Sequence, residues 1–263
     1  MLKIIFWNIK RNLRNVDLIL NYAKIKNVDI IALCEAPLND EITSKYFVLL
    51  KHRDNIRNDL IHCFVRKGLN VKYVRELTRS CIINIKSNEL TNLCLVHLPD
   101  NLYPESAERQ SVVIKQLLAE VEKEEIKNKS EKTLFLGDFN KNLCDDAINS
   151  FASFNCSYFK SCSGKMRSIY GEMKEISYNP MLNVYNDNDN EKIAKGTYYY
   201  NNNWYCYDQV IMKAGIVNNF DRKSLMIISH LGDGVELVKH NKINSDYSDH
   251  LPIYLELGGL KDE

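Results

Sequence analysis

The chain has eight cysteines, at positions 34, 63, 81, 94, 144, 156, 162 and 206, yet no Cys-x-x-Cys and no Cys/His pairing at zinc-binding spacing. That excludes a cysteine-built zinc module. Most of these residues sit in apolar runs and read as buried thiols, which suits a reducing compartment. No stretch approaches the roughly 18 apolar residues of a membrane span. The apolar start, Met1 to Trp7, runs into Asn8-Ile9-Lys10-Arg11 without a small-residue cleavage site, so no secretory leader is expected and the cytoplasm is the expected location. There is also no excess of charge: 35 basic residues face 34 acidic ones, a formal net charge of +1. Proteins that hold long duplexes by neutralising phosphates are usually more basic. Any nucleic-acid contact should therefore be a local basic rim around a cleft, and a small phosphorylated substrate fits equally well. No Pro/Gly-rich linker and no short internal repeat divides the chain, so residues 1–263 are read as one domain.

What is present is an ordinary globular composition, 45% hydrophobic and 26% charged. Leu2 to Trp7 reads as a strand. Val16, Leu18, Ile19, Leu20 and Ala23 fit a helix, and Val28 to Leu33 reads as a buried strand without alternation. Leu60 to Val65, Val71 to Val74, Ser80 to Ile85 and Leu90 to Val96 are short apolar runs separated by turn residues, and their spacing suggests an antiparallel meander. Pro104 opens the longest helical pattern, through Val113, Ile114, Leu117, Leu118 and Val121. Glu122 to Lys132 is expected to be its solvated tail plus a loop. Thr133 to Leu136 is a buried strand, and Leu143 to Phe151 a short helix. Tyr198 to Tyr200, Tyr205 to Met212, Leu225 to Ile228 and Pro252 to Leu257 read as strands. Two runs of strands with helices between them predict two sheets packed face to face with helices outside.

Acid, amide and imidazole groups recur where these strands end. Asn8 ends the first, Glu35 follows Ile30 to Cys34, Asp138 and Asn140 follow Thr133 to Gly137, and Asp249 and His250 precede the last. His97 ends another. A carboxylate just beyond a buried strand is rigidly placed, and carboxylate and amide oxygens suit Mg²⁺ or Mn²⁺ better than Zn²⁺. Histidine gives or takes a proton near neutral pH. Taken singly, each has a plainer reading: an Asn after a strand as a turn residue, a lone Asp or Glu as a cap or surface pair, a histidine as a satisfied hydrogen-bonder.

Together and in this order, they resemble the endonuclease/exonuclease/phosphatase superfamily, the DNase I-like proteins. The resemblance rests on Phe6-Trp7-Asn8, Ala32-Leu33-Cys34-Glu35, Val96-His97-Leu98-Pro99, Leu136-Gly137-Asp138-Phe139-Asn140, Tyr207-Asp208-Gln209-Val210 and Ser248-Asp249-His250-Leu251-Pro252-Ile253, and spans residues 6 to 253. It implies a four-layer α/β/β/α sandwich of two mixed sheets flanked by helices. It also implies a Mg²⁺-dependent phosphodiester hydrolase, Mn²⁺ being the other ion of this class, with nucleic acid as the main substrate expectation. By the same resemblance, Glu35 is the main metal ligand, with Asn8 and Asp249 near the metal. Asp138 orients or deprotonates the attacking water, and Asn140 holds that water or a phosphate oxygen. His250 faces the phosphate with Asp208 fixing its tautomer, and His97 is the candidate general acid. The chain departs from the family in carrying Cys34 where a Gln is common and Ala36-Pro37 after the glutamate. It also has His97-Leu98-Pro99-Asp100 in place of the Tyr-x-Pro-Asn of abasic-site enzymes, which argues against DNA repair.

Around this set, Tyr199 and Trp204, from an aromatic cluster before Asp208, are candidate stacking residues for a base, against the alternative of a strand pair packed by aromatics. Arg109 is a candidate phosphate contact, against a surface pair with Glu105 or Glu108. A phosphatase or phosphodiesterase for a small molecule or lipid headgroup, and a catalytically inactive binding module on the same fold, are the other readings. No protein partner follows from the sequence.

Overall fold

The computed structural model describes residues 1–38, 44–50, 61–187, 189–232 and 234–258; Leu60 and residues 259–263 of the expectations above lie outside them. The chain runs β1 (Leu2–Asn8), α1 (Arg14–Ile25), β2 (Ile30–Cys34), β3 (Phe47–Leu49), β4 (Ile61–Arg66), β5 (Val71–Leu77), β6 (Ser80–Ile85), β7 (Asn92–His97), α2 (Ser106–Asn128) and β8 (Thr133–Asp138), followed by shorter elements. One six-stranded sheet has the order Met226–Ile227, Ile253–Leu257, β1, β2, β4, β3. The other, of seven strands, runs β5, β6, β7, β8, Asp208–Met212, Ser177–Tyr178, Cys156–Ser157. Both are mixed: β1 pairs parallel with β2 and β7 parallel with β8, while Ile253–Leu257 and Asp208–Met212 join antiparallel.

Three apolar cores separate four layers. Between the sheets lie Ile4, Phe6, Ile30 and Ala32 from one and Ile83, Leu95, Leu136 and Val210 from the other. On the outer face of the first sheet, Ile5, Trp7, Ile31 and Phe64 pack with Val16, Ile19, Leu20 and Ala23 of α1. On the outer face of the second, Ile82, Val96, Phe135 and Ile211 pack with Ile114, Leu117 and Val121 of α2. The helical stripes recur at three and four residues and the strand faces alternate by two. Asn27, in the left-handed conformation (φ 53°), ends α1 by turning Val28 N–H back to Ala23 O at 2.9 Å. The α/β/β/α order is the one expected. Six of the eight cysteines are buried; Cys144 is exposed and Cys162 half-buried. Among the described residues no helix is long and apolar enough to cross a membrane.

Three details differ from the sequence reading. The expected meander contains only β5, β6 and β7, because β4 pairs with β2 and β3 in the other sheet. β4 is apolar on both faces, with Cys63 in the central core and Phe64 in the α1 core, so it belongs in a sheet covered on both sides. The strand expected over Tyr205 to Met212 is two strands, Asn203–Tyr205 and Asp208–Met212. The break falls where Cys206 N–H turns to Asn142 Oδ1 and Gln209 Nε2 donates to Cys206 O. The acidic end of α2 stays helical to Asn128 because it is not fully solvated. Glu125 is buried, accepting Thr133 Oγ1 at 2.6 Å and pairing with Lys213 Nζ at 2.6 Å.

Replacing Glu125 with Ala leaves Lys213 and Thr133 without their partner. Breaking this pair, buried at Glu125 but 28% exposed at Lys213, costs about 1–3 kcal/mol, read as a lower urea midpoint. An unchanged midpoint would show that the pair carries no net stability.

Candidate active site

Strand parity assembles the site. In β1 the even residues Leu2, Ile4 and Phe6 face the other sheet, and Asn8 is the next even position. Leu93 and Leu95 lead in the same way to His97, Leu134 and Leu136 to Asp138, and Met212 and Val210 back to Asp208. Each polar residue thus continues an inward-facing row one step past its apolar end. The register then sets His97 and Asp208 opposite Asp138 from either side. Glu35 follows β2 in the left-handed region (φ 49°), which turns its carboxylate toward Asn8.

The two sheets meet here. Asn8 Nδ2 donates to Asp138 Oδ2 at 3.0 Å and to Glu35 Oε1 at 3.2 Å. His250 Nδ1 and Asp208 Oδ2 are 2.8 Å apart, and His250 Nε2 lies 3.7 Å from Asp138 Oδ2. His97 Nε2 lies 3.8 Å from Glu35 and 4.0 Å from Asp138. Asn140, also left-handed, donates its backbone N–H to Asp138 Oδ1 at 2.9 Å and its side-chain amide to Leu98 O at 2.9 Å. Trp7 Nε1 holds His250 O at 2.9 Å, and Ser248 Oγ donates to Asn8 O at 2.8 Å while accepting His250 N–H at 3.1 Å. Asp208 N–H is held by Thr197 Oγ1 at 2.9 Å.

Burial alone would push His250 down, but the Asp208 and Asp138 carboxylates outweigh it and hold its imidazolium up at about 10. Asp138 is pushed up by burial and by Asp208, against the pull of His250. His97 is pushed down, chiefly by burial, so it is neutral at neutral pH.

No family model matches the sequence, and no curated protein matches it. Solved structures do match along nearly the whole chain. A 3' phosphatase, NExo, from Neisseria, bound to a product DNA hairpin, superposes at TM-score 0.59 with 11% identity, covering 98% of this chain and 100% of its own. TDP2 from D. rerio, complexed with single-strand DNA product, gives 0.56 with 16% identity and 97% of each chain. The AP endonuclease LMAP from Leishmania major gives 0.59 with 11% identity, covering 98% and 88%. The chain has the DNase I-like fold.

Within the DNase I-like frame, Asn8, Glu35, His97, Asp138, Asn140, Asp208 and His250 come together. Asp249 lies beside them but is paired: its Oδ2 is 2.8 Å from Lys10 Nζ. The structure does not bring Arg109, Tyr199 or Trp204 to this cluster. Arg109 pairs with Glu105 at 2.6 Å on the surface of α2. Tyr199 and Trp204 form an edge-to-face pair at 5.2 Å, with Trp204 packed against the α1 core. The opposite face of the same hairpin lies against the cluster instead. The Tyr198 ring lies 4.7 Å from that of His250 and stacks on Tyr207 at 4.9 Å, with Tyr205 beyond. Sequence reasoning named the cluster but not the side of the hairpin. It gave no part to Thr197, and none to Ser248 beyond its place in the Ser-Asp-His motif.

The donor set fits a divalent cation. Four carboxylates, on Glu35, Asp138, Asp208 and Asp249, outnumber the cations Lys10 and His250 that touch them. Hard oxygen donors with that surplus suit Mg²⁺ or Mn²⁺. Ligand-type atoms of Asp138, Asp208 and His250 lie within 4.8 Å of one another, but the Nδ1–Oδ2 hydrogen bond already uses one atom on each of two of them. Glu35, at Oε2, and the buried Asp208, at Oδ1, each keep a carboxylate oxygen without a hydrogen bond among the described residues.

A raised histidine stabilises the fold fully below the unfolded value of about 6.5 and loses that stabilisation as pH rises through about 10. In NMR titration of the metal-free protein, His250 should titrate near 10, and Asp208→Asn should bring it down toward the ordinary range. An ordinary value in the wild type would overturn the imidazolium assignment.

Proposed function

We propose that the protein is a divalent-metal-dependent phosphodiester hydrolase that cleaves nucleic acid. The observation that carries this reading is the Asp208–His250 pair set against Asp138 at the mouth of the seam between the sheets. Hydrolysis of a phosphodiester builds negative charge on non-bridging oxygens and on the leaving oxygen, and it needs a deprotonated water. An imidazolium at His250, held charged at neutral pH, donates a hydrogen bond to that growing charge. Asp138, raised by burial, receives the proton of the attacking water, and the Asn140 backbone N–H orients its carboxylate for the task. Asn140 itself is assigned to the water or a phosphate oxygen. His97, neutral because buried, offers its Nε2–H to the leaving oxygen as a hydrogen bond rather than starting as an imidazolium acid.

Mg²⁺, or Mn²⁺ in its place, would be held by Glu35 with Asn8 and would supply charge neutralisation at the phosphate. Tyr198, stacked on Tyr207 beside His250, replaces Tyr199 and Trp204 as the proposed contact for a base. The matching structures bound to DNA products support nucleic acid as the substrate class. The near-neutral net charge of +1 favours the second reading, a small phosphoester.

The purified protein, given DNA, RNA and a panel of phosphoesters, should cleave nucleic acid with Mg²⁺ or Mn²⁺ and not with EDTA. Glu35→Ala and His250→Ala should each lose about 10²-fold or more in rate. Cleavage that survives EDTA or both substitutions would sink the mechanism. Turnover confined to phosphoesters would favour the second reading.

A further inference from the structure

Lys10 stands outside the set of groups that the proposed hydrolysis uses, yet it touches two of the three expected metal ligands. Its backbone N–H donates to Asn8 Oδ1 at 3.1 Å, and its Nζ lies 2.8 Å from Asp249 Oδ2. We infer that Lys10 is a tethered cation that neutralises Asp249 and confines the site to one divalent ion, held on the Glu35 side. The inference rests on the metal-dependent reading and adds the number of ions to it.

The meeting of Lys10 with Asp249 is built into the backbone. Asn12 Nδ2 donates to the carbonyls of Asp246 and Tyr247 at 3.1 and 3.0 Å, and Asn15 Nδ2 donates to Tyr247 O at 2.7 Å. With the Ser248–Asn8 and Trp7–His250 bonds on the other side, the loop after β1 is zipped to the segment carrying Asp249. Lys10 and Arg11 both adopt left-handed backbone (φ 49° and 58°), which non-glycine residues enter at a cost. The pair they deliver is 55% and 31% exposed, too solvated to offset that cost by stability. A strained hook that returns little stability points to a role in the site. An ammonium in contact with Asp249 takes up its charge and repels a second dication beside it. On the other side, Glu35 offers Oε2 without a hydrogen bond among the described residues, and Arg11 N–H fixes the Glu35 carbonyl at 2.8 Å.

Mn²⁺ binding to the full-length protein without substrate, followed by electron paramagnetic resonance, tests this. The wild type should bind one Mn²⁺ per chain, Lys10→Gln two, and Lys10→Arg one. Asp249→Asn should keep the single ion within about threefold in affinity, the scale of an exposed pair. Glu35→Gln should weaken it by about tenfold or more. Circular dichroism confirms that each variant is folded. Two ions in the wild type, or one in folded Lys10→Gln, would overturn the inference while leaving metal dependence intact. No bound ion in the wild type would instead sink the metal-dependent reading itself.

Discussion

Side chains alternate along a strand, so a residue's face is fixed by whether its number is odd or even. In this protein both sheets are covered on both sides, and a slip of one residue in any central strand would exchange two apolar cores at once. The register is therefore strongly specified. Asn8, His97, Asp138 and Asp208 inherit that precision without any packing of their own, because each continues a row of Ile, Leu, Phe or Val that the central core holds in place. The geometry of the cluster and the packing of the core are consequences of one constraint.

The same seam sets the electrostatics. Bringing Asp138 and Asp208 into register against each other, both fully buried, is unfavourable unless something of opposite charge intervenes. His250 is that group, and its position is fixed from three sides, by Trp7, Ser248 and Asp208. Its raised proton affinity and the raised carboxyl of Asp138 are two views of one arrangement. His97 sits on the other flank of Asp138 with less carboxylate around it, so burial wins and it stays neutral. Two histidines within reach of one aspartate thus hold different protonation states, one cationic and one neutral.

How much of this is legible in the sequence depends on whether a residue's place follows from its own strand. Asp138, Asp208 and Glu35 follow short apolar runs or precede them, and their motifs were readable together with the layer order. Where place depends on a partner, sequence fails. The assignment of β4 to the first sheet follows from pairing with β2, which lies some thirty residues earlier. Tyr199 and Trp204 against Tyr198 and Tyr205 is a question of which face a hairpin turns to the body, and eight consecutive aromatic or amide residues give no alternation to decide it. Arg109 and Glu105 are four apart on an exposed helix face, where a local pair forms more readily than a distant phosphate contact.

Several strained residues stand around the site itself. Lys10, Arg11 and Glu35 all lie in the left-handed region at the carboxyl ends of β1 and β2, and Asn140, which tolerates it better, lies just beyond β8. Each such residue costs on the order of 1–3 kcal/mol, and the carboxylate surplus adds repulsion. At the opposite end, Glu125, Thr133 and Lys213 are mutually satisfied, and Asn84, Asn92 and Asn128 close a hydrogen-bonded chain on Thr133. Along β8 the satisfied polar groups therefore lie at the Thr133 end and the crowded carboxylates at the Asp138 end. A cation bound at the second end would relieve the surplus, so the fold and the ion should stabilise each other.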